Sequence, residues 1–256
     1  MLLWFSVSPW LRASDELLPT ALVRTPGVSE YMLNFKSNAL VIALTFAVST
    51  PLFAQNGAES AYDRIAKAWK DTRTLEANFE QKITNPLLGR SANSKGVFLQ
   101  ERPGKVSITF TQPAGDRIVG DGKTLWVYLP SSAPGRVLKL PGDADGAIVA
   151  DLLGQLLDTP KRAFVISGGD VVTIDGRTTR RVQLLPRNPD AVPFQKATLW
   201  LDEKEPRPVR VQVIDGQGVD RTITLTSWSP DATLPGDAFK FSVPKGVKVS
   251  TKIAGL

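Results

Sequence analysis

Apolar residues recur at helical spacing where the readable part of the chain begins. Tyr62, Ile65, Ala66 and Trp69 fall at i, i+3, i+4 and i+7, which sets them on one face of an α-helix. Ser60 followed by Asp63 reads as the N-cap of that helix and its capping partner. After Thr72-Arg73-Thr74 the period drops to two. Leu75, Ala77 and Phe79 alternate with Glu76, Asn78 and Glu80, and Val106, Ile108 and Phe110 alternate with Ser107, Thr109 and Thr111. Three Asp-Gly pairs punctuate the β-rich runs: Asp121-Gly122, Asp175-Gly176 and Asp215-Gly216. Such pairs between strand-like segments predict hairpins, and so a largely antiparallel meander. No spacing suggests alternating strand–helix–strand units. One curved sheet or an open barrel is the economical architecture.

Asp143–Thr159 breaks the strand rhythm. Ile148, Val149, Leu152, Leu153, Leu156 and Leu157 form a wide aliphatic face, with Asp145, Asp151, Gln155 and Asp158 opposite and Pro160 as terminator, a pattern that predicts a second helix. Such a face packs either on the sheet's core or as a lid over a greasy cavity. Several strands are apolar on both sides. Leu125, Val127 and Leu129 oppose Trp126 and Tyr128, Leu199 and Leu201 oppose Trp200, and Val209, Val211 and Val213 oppose Ile214. A sheet with one wet face alternates more cleanly, so helices, a partner or an apolar ligand must cover the second face.

The segment before the first helix has a different character. Lys36 precedes an apolar run from Ala39 to Val48, then Ser-Thr-Pro-Leu-Phe-Ala. Charge, apolar block and small residue in that order read as a secretory signal over 32–54 with cleavage near Ala54, in preference to a buried intracellular helix. The run is too short for a membrane span and is interrupted by Pro51. With Met32 as the true start, residues 1–31 are a non-native N-terminal extension, and 55–256 is expected to be a single working domain.

The chain of 256 residues has no Cys and no His and carries a net charge of +6. These absences exclude disulfides, thiol nucleophiles, Ser-His-Asp triads and His-based zinc sites. The basic residues are dispersed, with Lys161-Arg162 and Arg180-Arg181 the longest runs. No stripe or module suggests nucleic-acid binding, although weak attraction to anionic membrane surfaces is compatible with the charge. Gly122-Lys123-Thr124 lacks the first glycine of a phosphate loop and lies in a hairpin turn. Asp143-Ala-Asp-Gly146 lacks the spacing and terminal Glu of a calcium loop. No metal, cofactor or catalytic residue is expected, so the chain reads as a non-enzyme.

Several stretches resemble one family. Leu75-Glu-Ala-Asn-Phe-Glu-Gln, Gly96-Val-Phe-Leu-Gln-Glu-Arg-Pro, Thr111-Gln-Pro, Gly120-Asp-Gly-Lys-Thr-Leu-Trp-Val-Tyr and Phe239-Lys-Phe-Ser-Val-Pro-Lys-Gly-Val resemble, in order and spacing, the periplasmic outer-membrane lipoprotein carriers of the LolA type. The resemblance implies a mainly β fold with an α-helical lid (α+β): an incomplete antiparallel β-barrel, or strongly curved sheet, covered by short helices. It implies a periplasmic, monomeric carrier that holds the acyl chains of lipid-modified proteins in a hydrophobic cavity. An inner-membrane lipoprotein-releasing ABC transporter would supply the cargo and an outer-membrane lipoprotein receptor would accept it. The family's lid-contacting arginine falls on Arg102. Cavity-lining candidates are Val106, Ile108, Phe110, Trp126, Tyr128, Ile148, Leu152, Leu153 and Leu156, with Val106 and Ile108 standing where well-known members carry bulky aromatics. The alternative is a periplasmic regulator that senses lipid or lipoprotein with the same half-barrel.

Overall fold

The computed structural model describes residues 52–142 and 151–251. The proposed extension, nearly all of the proposed signal segment, and Ile148 and Val149 lie outside the described residues. One helix, α1 (Leu52–Asp71), leads into a 13-stranded sheet. Its strands are β1 (Thr74–Asn85), β2 (Arg90–Glu101), β3 (Lys105–Gln112), β4 (Ala114–Asp121), β5 (Thr124–Tyr128), β6 (Arg136–Pro141), β7 (Phe164–Ile174), β8 (Arg177–Pro186), β9 (Lys196–Asp202), β10 (Pro208–Ile214), β11 (Asp220–Leu225), β12 (Ser229–Pro230) and β13 (Lys248–Ser250). A short helix, α2 (Leu152–Leu157), lies between β6 and β7.

The order across the sheet is β13-β6-β5-β4-β3-β2-β1-β11-β10-β9-β8-β7, with β12 on β1. Two meanders therefore meet at β1, which pairs with β2 along its whole length and with β11 through Phe79↔Leu225 to Thr84↔Asp220. All pairings are antiparallel except β13 beside β6. The order ends at β13 and β7, which do not pair with each other, so the sheet is open. All three Asp-Gly hairpins form where the sequence predicts them. At the tightest, Asp175 and Gly176 both have positive φ, the backbone twist that a two-residue turn between right-twisted strands requires.

Burial follows the two periods. In β1, Leu75, Ala77, Phe79, Gln81 and Ile83 are buried while the residues between them are exposed. The inner face so formed continues through Phe98, Val106, Phe110, Leu125, Val127, Leu184, Leu199, Val211 and Leu225. Helix α1 packs Ala58, Ala61, Tyr62, Ile65 and Trp69 into the same core. It begins well before Ser60, which is therefore exposed mid-helix rather than an N-cap. The reason is burial: Ala58 and Ala61 extend the apolar stripe upstream, and that packing outweighs the local capping signal.

Candidate functional site

The site is the inner face of the sheet together with its helical cover. On β3, Val106, Ile108 and Phe110 point inward in the period of two. Val106 and Phe110 are buried, and Ile108 is half-buried against the core. Phe110 meets Phe79 of β1 edge to face at 5.6 Å. From α2, Leu153, Leu156 and Leu157 enter the core and Leu152 packs at its margin. Among the described residues of the segment predicted to be helical, the helix runs Leu152–Leu157. Asp151 has non-helical φ/ψ (−102°, 65°) and is the N-cap of α2, not a member of its polar face.

A six-residue helix has too few internal bonds to stand alone, and polar ties fix this one in place. The Asp151 carboxylate accepts from the Gly154 amide at 2.8 Å. It lies where a Cβ on Gly154 would sit, 2.7 Å from the Asp151 Cγ, so only glycine leaves room for this cap. Burial pushes the Asp151 carboxyl above its ordinary pKa, against the opposing pull of the Gly154 amide and a hydrogen bond from Gln100. At the other end, Asp158 Oδ1 accepts from Arg102 Nη2 at 2.7 Å.

Arg102 thus joins both helices to the end of β2. Its Nη1 donates to the Trp69 carbonyl in the last turn of α1. Its guanidinium also lies 5.1 Å from the Trp69 ring centroid. A planar fork makes these contacts together in a way an ammonium would not. Tyr62 of α1 adds a direct tie, its hydroxyl donating to the Leu156 carbonyl at 2.7 Å. Burial, with the charges of Asp63 and Asp158, pushes that phenol well above the usual tyrosine range, so it stays protonated as the donor. Lys161, just after α2, pairs with Asp63 at 2.8 Å and Glu59 at 3.4 Å on α1. Beneath this cover Trp69 Nε1 and Gln100 Oε1 are buried with no hydrogen-bond partner among the described residues.

Of the residues singled out in the sequence, Val106, Ile108, Phe110, Leu152, Leu153 and Leu156 come together on the covered face. Trp126 and Tyr128 do not. Leu125 and Val127 occupy the inward positions of β5, so alternation turns Trp126 and Tyr128 to the convex side. There they meet Phe241 of the C-terminal segment, at 5.5 and 6.0 Å between ring centroids. The same patch holds Val119 and Val137 and brings Lys139 over the Trp126 ring at 5.2 Å. The two-sided apolar pattern of β5 is thus met on its outer side by the chain's own C-terminal segment.

Sequence reasoning missed Asp151, Asp158, Gln100 and the tying role of Tyr62. The aspartates flank the leucine run and carried a usable signal, since Asp three residues before Gly154 is a capping arrangement. Tyr62 and Gln100 carried none, because their partners lie far along the chain.

An open antiparallel half-barrel, its apolar inner face roofed by two helices that a few polar contacts hold down, defines a class of protein built around covered hydrocarbon surface. The family model described as outer membrane lipoprotein carrier protein LolA matches residues 70–242, and the chain belongs to that family. It is 28% identical over 209 residues to an outer-membrane lipoprotein carrier protein of Dechloromonas aromatica, spanning 82% of this chain and 95% of the relative. It is 29% identical over 206 residues to one of Chromobacterium violaceum, spanning 80% and 95%. Among solved structures, a LolA superfamily protein from Nitrosomonas europaea aligns with a TM-score of 0.38 and 14% identity, over 72% of this chain and 97% of that one.

Proposed function

We propose that this protein is a periplasmic carrier that takes up the acyl chains of lipid-modified proteins between its inner face and its helical cover, and moves them from inner to outer membrane. The observation that carries this reading is the short roof itself. Helix α2 lays Leu153, Leu156 and Leu157 on the sheet, yet polar contacts at its ends hold it there. A cover of this kind exchanges its own leucines for incoming hydrocarbon without unfolding the sheet. Each methylene withdrawn from water contributes about 0.8 kcal/mol, so a few acyl chains outweigh a handful of hydrogen bonds worth about 1 kcal/mol each.

In this reading Arg102 is the clasp of the closed state, and Val106, Ile108, Phe110, Leu152, Leu153 and Leu156 meet the hydrocarbon. Loading and release are transfers between apolar sites, with no bond made or broken. An inner-membrane ABC transporter would supply the cargo and an outer-membrane receptor would accept it. The family membership supports the carrier role and the periplasmic setting.

The test mixes the purified protein with spheroplasts and fractionates the supernatant. Lipoproteins should leave the membrane and co-elute with the protein in a one-to-one complex. If they stay membrane-bound with a competent transporter present, the carrier reading fails.

A further inference from the structure

Two polar atoms on the covered face are unmet. Trp69 and Gln100 are each only 2% exposed, yet Trp69 Nε1 and Gln100 Oε1 have no hydrogen-bond partner among the described residues. Buried polar groups in folded proteins are nearly always paired, and here one donor and one acceptor fall in a single neighbourhood. Gln100 stands in register between Leu75 of β1 and Val106 of β3, both buried, so its side chain lies in an aliphatic stretch of the lining. Its nitrogen is taken, donating to the Asp151 carboxylate that caps α2, which leaves the oxygen. Arg102 follows two residues on along the same face of β2, about 7 Å away by strand geometry. Its guanidinium sits 5.1 Å from the Trp69 ring centroid. Trp228 meets the same ring at 6.4 Å, so the indole is held in place with its N–H unmet.

A secondary amide answers both atoms at once, its carbonyl accepting from Trp69 and its N–H donating to Gln100. An ester offers acceptors alone. We propose that Trp69 Nε1 and Gln100 Oε1 form a polar subsite for the amide that joins an acyl chain to the α-amino group of the cargo's lipid-modified residue. The inference rests on the carrier reading above and names what that site recognises besides hydrocarbon. The subsite seats the head of the N-linked chain beside the Arg102 clasp. It selects cargo that carries such a chain over cargo whose chains are ester-linked alone. Discrimination of this kind is strong in a buried site, because an analogue lacking the N–H leaves Gln100 Oε1 buried and unmet.

The test uses synthetic triacylated lipopeptides with acyl chains short enough to stay dispersed, titrated calorimetrically into the protein purified as the cell produces it. One carries the N-acyl amide. In its counterpart an ester oxygen replaces that N–H, with every chain unchanged. The amide ligand should bind about tenfold tighter than the ester. Gln100→Met should bring the two ligands to equal affinity; the lost contact with Asp151 affects both alike and leaves the ratio untouched. With the Trp69 N–H replaced by the sulfur of an isosteric benzothiophene, both ligands should weaken about tenfold, because both present a carbonyl. Equal affinity of amide and ester for the parent overturns the subsite and leaves the carrier reading standing. So does a preference that survives Gln100→Met, or affinities that ignore the change at Trp69. Failure of both ligands to bind the parent overturns the subsite and the carrier reading together.

Discussion

Asp151 places a carboxylate where burial opposes its charge, and the cap it makes on α2 offsets only part of that cost. Its raised pKa fixes the sign of the pH dependence. The penalty is present at neutral pH and disappears as pH falls through the raised folded value toward the ordinary one. Asp151→Asn keeps a capping oxygen without the charge. It should therefore raise the melting temperature at pH 7, with the gain shrinking to nothing under acid. Asp151→Ala sheds the same penalty but also the cap, so it should be about 1 kcal/mol less stable than Asp151→Asn at every pH; thermal melts of the two variants across pH separate the effects. Arg102 offers a second residue-scale test. Arg102→Leu should leave far-UV circular dichroism unchanged, speed amide exchange over 151–158 and alter lipoprotein loading. Arg102→Lys should fail to restore the parent behaviour, because the fork that reaches Trp69 and Asp158 together is lost. Unchanged exchange in the leucine variant would remove Arg102 from the clasp.

At the scale of elements, α2 depends on its surroundings. Leu156 is fully buried and its carbonyl accepts from Tyr62. Leu156→Ala should cost about 2–5 kcal/mol in chemical denaturation, and Tyr62→Phe about 1–3 kcal/mol by leaving a buried carbonyl unmet. The element scale also shows what could be read beforehand. The strands of β1, β3 and β5 and all three Asp-Gly hairpins were legible, because alternation and turn chemistry are local. So was the apolar stripe of α1 from Tyr62 to Trp69. The start of α1 was not, since Ala58 carries no signal until the sheet covers it. The direction of Trp126 and Tyr128 was equally hidden: a strand apolar on both faces does not say which side is inner. The matter was decided by Phe241, far along the chain.

For the whole molecule, the covered face was legible as a need rather than as a geometry. Two-sided strands demanded covers on both surfaces, and the molecule meets the demand twice, with helices inside and the C-terminal segment outside at β5. The contacts that select one cover for each face, such as Tyr62 to Leu156 and Trp126 to Phe241, join residues distant in sequence, and no local pattern encodes them. The family resemblance read from short motifs reached the class of fold, because those motifs keep their order along the meander.

The meeting of two meanders at β1 bears on how the protein is made. Strands β1 to β6 pair with their immediate successors, so this half can assemble as it leaves the ribosome or the export channel. The other flank of β1 waits for β11, the last long strand to emerge. Until then the central strand presents a bare edge beside half a hydrophobic lining, the condition in which nascent β-proteins pair with the wrong neighbour. Pulse-labelled hydrogen exchange during refolding should find the β2 side of β1 protected early and β11 protected late. Simultaneous protection would mean that both halves condense together. The slow closure of that single seam is then the interval in which the newly made chain most needs an escort of its own.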